Sequence, residues 1–257
     1  MNLPDPEATA CLLREQAHQT KPPIDLTVIA RQFPRLIIKE MELDGEGLFI
    51  DLAERGAEIY LKKDANEFRK RFTLAHELGH LVLAESGGHP VGYRNSRRIR
   101  SAIESWCNTF AANLLMPKAD VLQFLRKAKL PGLIEALSSG PRAFRVSHQA
   151  FRMRACEIAP LIVYVFDTDG KSYKLREFFL SNIRHDLRWT DGMNSIVSPM
   201  LKGPKTRAYV VHTGDTIIVG GYPKATLKRG EFLAAVVARS ANEPAGISSS
   251  PPRDTRA

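Results

Sequence analysis

The chain has 257 residues, 44% apolar and 25% charged, with three cysteines and a formal charge of +9. This is the composition of a globular protein of one large or two modest domains. It excludes low-complexity chains and dense disulfide frameworks, and no apolar run approaches the ~18 residues a membrane helix needs. The positive charge favours an acidic partner or nucleic acid.

The first residues, "MNLPDPEATACLLREQ", lack a basic stretch followed by an apolar core, so no secretory signal is expected. Cys11, Cys107 and Cys156 are odd in number and widely spaced, which fits reduced thiols in a cytoplasm. Residues 6–19 and 24–33 read as two short helices; in the second, Ile24, Val28, Ile29 and Phe33 recur at helical spacing. "RLIIKEMEL", "EGLFIDL" and "AEIYLKK" are short, β-branched or aromatic runs separated by glycines or charges, and predict a small antiparallel sheet. From Asn66 to about Leu83 the pattern turns helical. "ESGGHPVGY" ends that helix, and an arginine-rich loop follows. A further helix runs from about Arg100 to Met116 and stops at Pro117.

Residues 118–157 hold three more helical stretches, in which Ser147 is placed as an N-cap. Beyond about 158 the pattern is mixed α/β. A strand and turn bend at Asp169-Gly170, and a hairpin bends around Thr213-Gly214. "LKRGEFLAAVVARS" reads equally as a closing helix or a strand, and residues 241–257 read as a disordered Ser- and Pro-rich tail.

The chemistry concentrates in "RFTLAHELGH", residues 71–80. Histidines four apart lie on one helix face, one turn from each other, so His76 and His80 can share a metal. Glu77 sits beside the first and is the general base that such sites use on water. A hydrolytic zinc site takes three protein ligands and keeps one position open. Glu104 is the candidate third ligand, 23 residues after His80 on the next helix. Asn108 follows it by one turn, where it can hydrogen-bond a ligand imidazole and orient it. The plainer reading of Glu104 is a solvated carboxylate favoured by the helix dipole. His89 and Tyr93, in the intervening loop, are candidate donors to an oxyanion. Cys107 reads as a small buried residue rather than a nucleophile.

Two blocks, "RFTLAHELGHLVL" and "ESWCNTFAANLLMP", resemble the ImmA/IrrE family of metallopeptidases, most closely its radiation-response branch. The resemblance covers roughly residues 20–117. It implies an α+β, zincin-like domain with His76, His80 and Glu104 as ligands of one Zn2+ and Glu77 as the catalytic base. Mn2+ and Fe2+ suit the same donors. It also implies a substrate, a helix-turn-helix transcriptional repressor whose cleavage derepresses stress or mobile-element genes.

The expected organisation is a zinc metallopeptidase domain over 1–117, a helix-turn-helix-like segment over 118–157, an α/β GAF-like sensor domain over 158–240 and a tail over 241–257. "AEIYLKK" is the expected sheet edge for an extended substrate. A competing reading makes the protein a DNA-binding regulator with a non-catalytic metal site, in which Arg145, Arg152 and Arg154 meet phosphates. Glu77 opposes it, because a structural site needs no general base and usually has four protein ligands.

Overall fold

The computed structural model describes residues 3–87, 97–168, 173–180, 197–200, 208–213, 216–223 and 231–238. The chain divides into two compact units, residues 1–124 with 139–154, and residues 125–138 with 155–257. Helices and two small sheets make it an α+β protein.

In the first unit the helices begin at caps written in the sequence. Asp5 caps α1 (Pro6–Gln16), and Asp25 caps α2 (Leu26–Ala30) by accepting from the Thr27 amide at 2.8 Å. Asn66 caps α3 (Glu67–Glu85) by accepting from the Phe68 amide at 2.9 Å. α2 is shorter than the helix expected over 24–33. Ile24 lies before its cap, yet its side chain is buried with those of Leu26 and Ile29.

Three strands, β1 (Leu36–Met41), β2 (Gly47–Asp51) and β3 (Ala57–Lys62), form a sheet in the order β1-β3-β2. The expectation of an antiparallel sheet is half right. β2 pairs antiparallel with β3, but β1 runs parallel to it, Leu36 opposite Ala57 and Met41 opposite Lys62. The pattern explains the order. β3 alternates cleanly, burying Ala57, Ile59 and Leu61, and takes the centre, whereas β1 leaves Ile37, Ile38 and Met41 exposed at an edge. "AEIYLKK" is therefore flanked on both sides and cannot accept a substrate strand, which corrects that expectation.

α3 is the core of this unit. Arg71, Thr73, Ala75, Leu78, Leu81 and Leu83 are all buried, which fits a helix packed against β2 and β3, against α2, and against α4 (Arg97–Leu115). α1 packs on α4, where the Trp106 indole donates to the Pro4 carbonyl at 2.6 Å. Arg71 explains the first residue of the "RFT" block. Its buried guanidinium donates to the carbonyls of Ile24 at 2.8 Å and Arg145 at 3.1 Å. It thereby ties the segment before α2 and the turn before α7 to the helix that carries the histidines.

α5 (Lys118–Lys127), α6 (Lys129–Phe144) and α7 (His148–Ile158) are the three helices expected over 118–157. Ser147 caps α7, its hydroxyl accepting from the Ala150 amide at 3.1 Å. In the second unit β4 (Leu161–Thr168), β5 (Tyr173–Phe179), β6 (Ala208–Thr213), β7 (Thr216–Gly221) and β8 (Glu231–Ala238) pair antiparallel in the order β5-β4-β8-β7-β6. The ambiguous run 227–240 thus contains a strand. β8 sits between β4 and β7 with Phe232 to Val236 buried on both faces, so it carries no alternation to read. Asp169-Gly170, Gly214 and the tail 241–257 lie outside the described residues. Among the described residues no helix is long and apolar enough to cross a membrane.

Replacing Arg71 by Met leaves the carbonyl of buried Ile24 and that of Arg145, in a part-buried bond, without their charged donor. Urea unfolding should show a loss of about 2–3 kcal/mol; a loss below about 0.5 kcal/mol would mean that the two bonds do not hold the unit together.

Candidate metal centre

Three donors converge where α3 meets α4. His76 Nε2 lies 3.2 Å from His80 Nε2 and 3.2 Å from a Glu104 carboxylate oxygen, and His80 Nε2 lies 3.7 Å from the other oxygen. On the far side of the His76 ring, Nδ1 sits 3.0 Å from the Asn108 carbonyl oxygen. An amide oxygen only accepts, so Nδ1 donates, and Nε2 is the ring atom left to face the cluster. Two imidazole nitrogens and a carboxylate facing one another are held together by shared protons or by a cation among them. The spacing fits one. Bonds of about 2.0–2.1 Å at tetrahedral angles put ligand atoms about 3.3 Å apart. Among the described residues this is the trio of His, Cys, Asp and Glu side chains grouped for metal binding.

The neighbouring elements hold each donor. Phe49 of β2 stacks on the His80 ring, with the planes 11° apart and the centroids 6.1 Å apart. Gly79 lets α4 approach. A Cβ built there would meet Phe110 at 3.1 Å and the Cys107 Cα at 3.3 Å, which is tighter than ordinary contact. Gly47 does the same on the sheet side. A Cβ there would lie 2.4 Å from Thr73 Cγ2 and 2.8 Å from Glu77 Oε1, so the β2 backbone lies directly against the Glu77 side chain. Thr73, the last residue of "RFT", is thus part of the floor beneath that carboxylate.

Glu77, buried to 7% exposure, shares a cleft of about 250 Å3 with His76, His80, Glu104, Arg100 and residues 47–49 of β2. β2 is an edge strand of its sheet and takes the place first expected of "AEIYLKK". Sequence reading placed His76, Glu77, His80, Glu104 and Asn108, and the structure brings all five together. It missed Gly47, which looked like a separator between strands, and Arg100, which looked like one of a solvated basic run.

His89 and Tyr93 lie outside the described residues. Arg152 and Arg154 are buried, at 1% and 3% exposure, and burial takes both away from a phosphate backbone. Arg154 is committed elsewhere, donating to the Met116 carbonyl that ends α4 and to the Asn113 side chain. Arg145 is exposed but pairs with Glu67 at 3.2 Å, at the positive-φ turn before α7. The arginine set proposed for DNA does not form one surface.

A profile of the M78 peptidase family, described as the IrrE N-terminal-like domain, matches residues 35–155. Over those residues the chain is similar to the IrrE N-terminal-like domain of metallopeptidases. The radiation response metalloprotease IrrE of Deinococcus radiodurans is 29% identical over 117 residues. That match covers 44% of this chain and 35% of the relative, so it spans about a third of the relative's length. A Mycobacterium tuberculosis transcriptional regulator has a similar fold, with a TM-score of 0.51 at 12% identity, over 96% of this chain and 94% of that one.

Cys107, beside Asn108, is buried, and burial together with the Glu104 charge pushes its thiol above the usual range. Burial pushes Cys156 up to about 12. The Cys11 thiol donates to Glu15 and is also held above the usual range, but it is only half-buried and so open to a reagent. Alkylation near pH 8 should therefore label Cys11 in the native protein and all three cysteines after unfolding; rapid native labelling of Cys107 would contradict its placement. Asn108→Leu removes the acceptor that orients His76. Competition with a chelating dye should show metal affinity lowered about 10- to 100-fold, whereas unchanged affinity would deny Asn108 that role.

Proposed function

We propose that the protein is a zinc-dependent endopeptidase that cuts a helix-turn-helix transcriptional repressor and so switches on stress-response genes. The observation that carries this is the position of Glu77. Glu77 shares one cleft with the three metal donors, beside the edge strand β2.

His76, His80 and Glu104 would hold a divalent metal, whose Lewis acidity would polarise a peptide carbonyl and activate water at neutral pH. Glu77 removes a proton from that water as its oxygen bonds to the carbonyl carbon. The carbon–nitrogen bond then breaks, and Glu77 delivers the proton to the leaving amine. The Gly47 backbone holds the carboxylate in place against the cleft wall. β2 offers its outer edge to an extended peptide, which main-chain hydrogen bonds would lay across the donors.

The same reading makes the first unit zincin-like and the second a GAF-like regulatory domain. Its five antiparallel strands, of which β4, β7 and β8 contribute to one apolar cluster, support that assignment. A cytoplasmic setting suits a repressor substrate and three free cysteines. The radiation-response relative supports the stress role.

Co-expression with the repressor encoded beside this protein tests the reading. The wild type should remove intact repressor, and Glu77→Gln should leave it intact while keeping its metal. Equal repressor with both proteins would refute the peptidase reading.

A further inference from the structure

Among the described residues the cleft contains one charged side chain that metal binding and proton transfer leave unused. Arg100 stands one turn before Glu104 on α4, so the two project from the same helix face. It lines the cleft with His76, Glu77, His80 and Glu104. The other charged groups of that lining are carboxylates. The Glu104 oxygens face the two imidazoles, at 3.2 and 3.7 Å, and among the described residues no carboxylate pairs with Arg100.

We infer that Arg100 selects the substrate by pairing with an acidic side chain close to the scissile bond. The inference rests on the peptidase reading and adds the substrate class. Two physical arguments separate it from a role in stabilising the oxyanion. A donor to developing charge must be held in place before the reaction, by packing or by other hydrogen bonds. Arg100 is exposed, and nothing among the described residues tethers it. An exposed guanidinium suits a different task, the capture of a charge already present on the substrate, where its planar fork takes a carboxylate through two parallel bonds. The edge of β2 supplies the geometry. A peptide extended along residues 47–49 turns alternate side chains toward one side, so a single acidic residue at a fixed distance from the cut bond meets α4. Carboxylates elsewhere in the peptide meet no other arginine or lysine among the described residues of the cleft lining.

The test uses the full-length, metal-loaded protein in two arms. In the first, a peptide library is digested by the wild type, Arg100→Gln and Arg100→Glu. The wild type should enrich Glu and Asp at one position near the cut. Arg100→Gln should lose that preference, lowering kcat/KM for acidic peptides by about three- to tenfold through KM. Arg100→Glu should enrich Lys and Arg at the same position. Absence of an acidic preference in the wild type, or an unchanged preference in Arg100→Glu, overturns the inference.

In the second arm, fluorescence anisotropy follows labelled peptide pools that differ only in Glu or Gln at each position, bound to Glu77→Gln protein with and without Arg100→Glu. Tighter binding of the Glu pools that vanishes with Arg100→Glu supports the inference. Equal binding, or none, overturns it. If the wild type cuts no peptide, the peptidase reading fails, and the binding arm alone decides Arg100. Arg100 is exposed, and equal circular dichroism and metal content across the variants would show that only selection has changed.

Discussion

The contact between α3 and α4 at Gly79 sets the geometry on which the site depends. Any side chain there would press on Phe110 and the Cys107 backbone, so the glycine sets how near the two helices can come. That nearness carries Glu104 and Asn108 across to His76 and His80. A shift of a few tenths of an ångström would act first on the metal, whose bonds tolerate little change in length, and only later on folding. An alanine at position 79 would favour the isolated helix by about 1 kcal/mol, yet it would act against the site. The two effects oppose each other, and glycine at this position is explained by the site rather than by the helix.

The remainder of the first unit holds α3 against its surroundings. Arg71 fixes two distant backbone segments to it, Thr73 and Gly47 meet beneath Glu77, and Phe49 covers the His80 ring. The "RFT" block is therefore explained without assigning any chemistry to it. Its arginine is a buried crosslink and its threonine a spacer beside Glu77. The same logic removes Arg152 and Arg154 from the surface. A guanidinium offers five donors, so it can end a helix or join segments as readily as it can meet phosphate.

The helical half of the site was legible because helix periodicity is local. The i, i+4 histidines, and the glutamate–asparagine pair at the same spacing, each declare a face, and two declared faces suggest a meeting. Strand pairing is not local. β1, β2 and β3 were each visible as short apolar runs, but only the folded chain shows β3 between the other two and leaves β2 as the edge at the cleft. β8 was ambiguous because a strand buried on both faces loses its alternation. Gly47 and Arg100 escaped for a related reason. A glycine needed for close approach looks like a turn, and an arginine aimed into a cleft looks like its solvated neighbours. Both are defined by what lies opposite them.

X-ray absorption at the zinc edge, on the loaded full-length protein, examines the centre most directly. The account predicts two imidazole nitrogens and carboxylate or water oxygens at about 2.0–2.2 Å, with no sulfur. A sulfur shell near 2.3 Å, or a third imidazole, would mean that His76, His80 and Glu104 are not the ligand set.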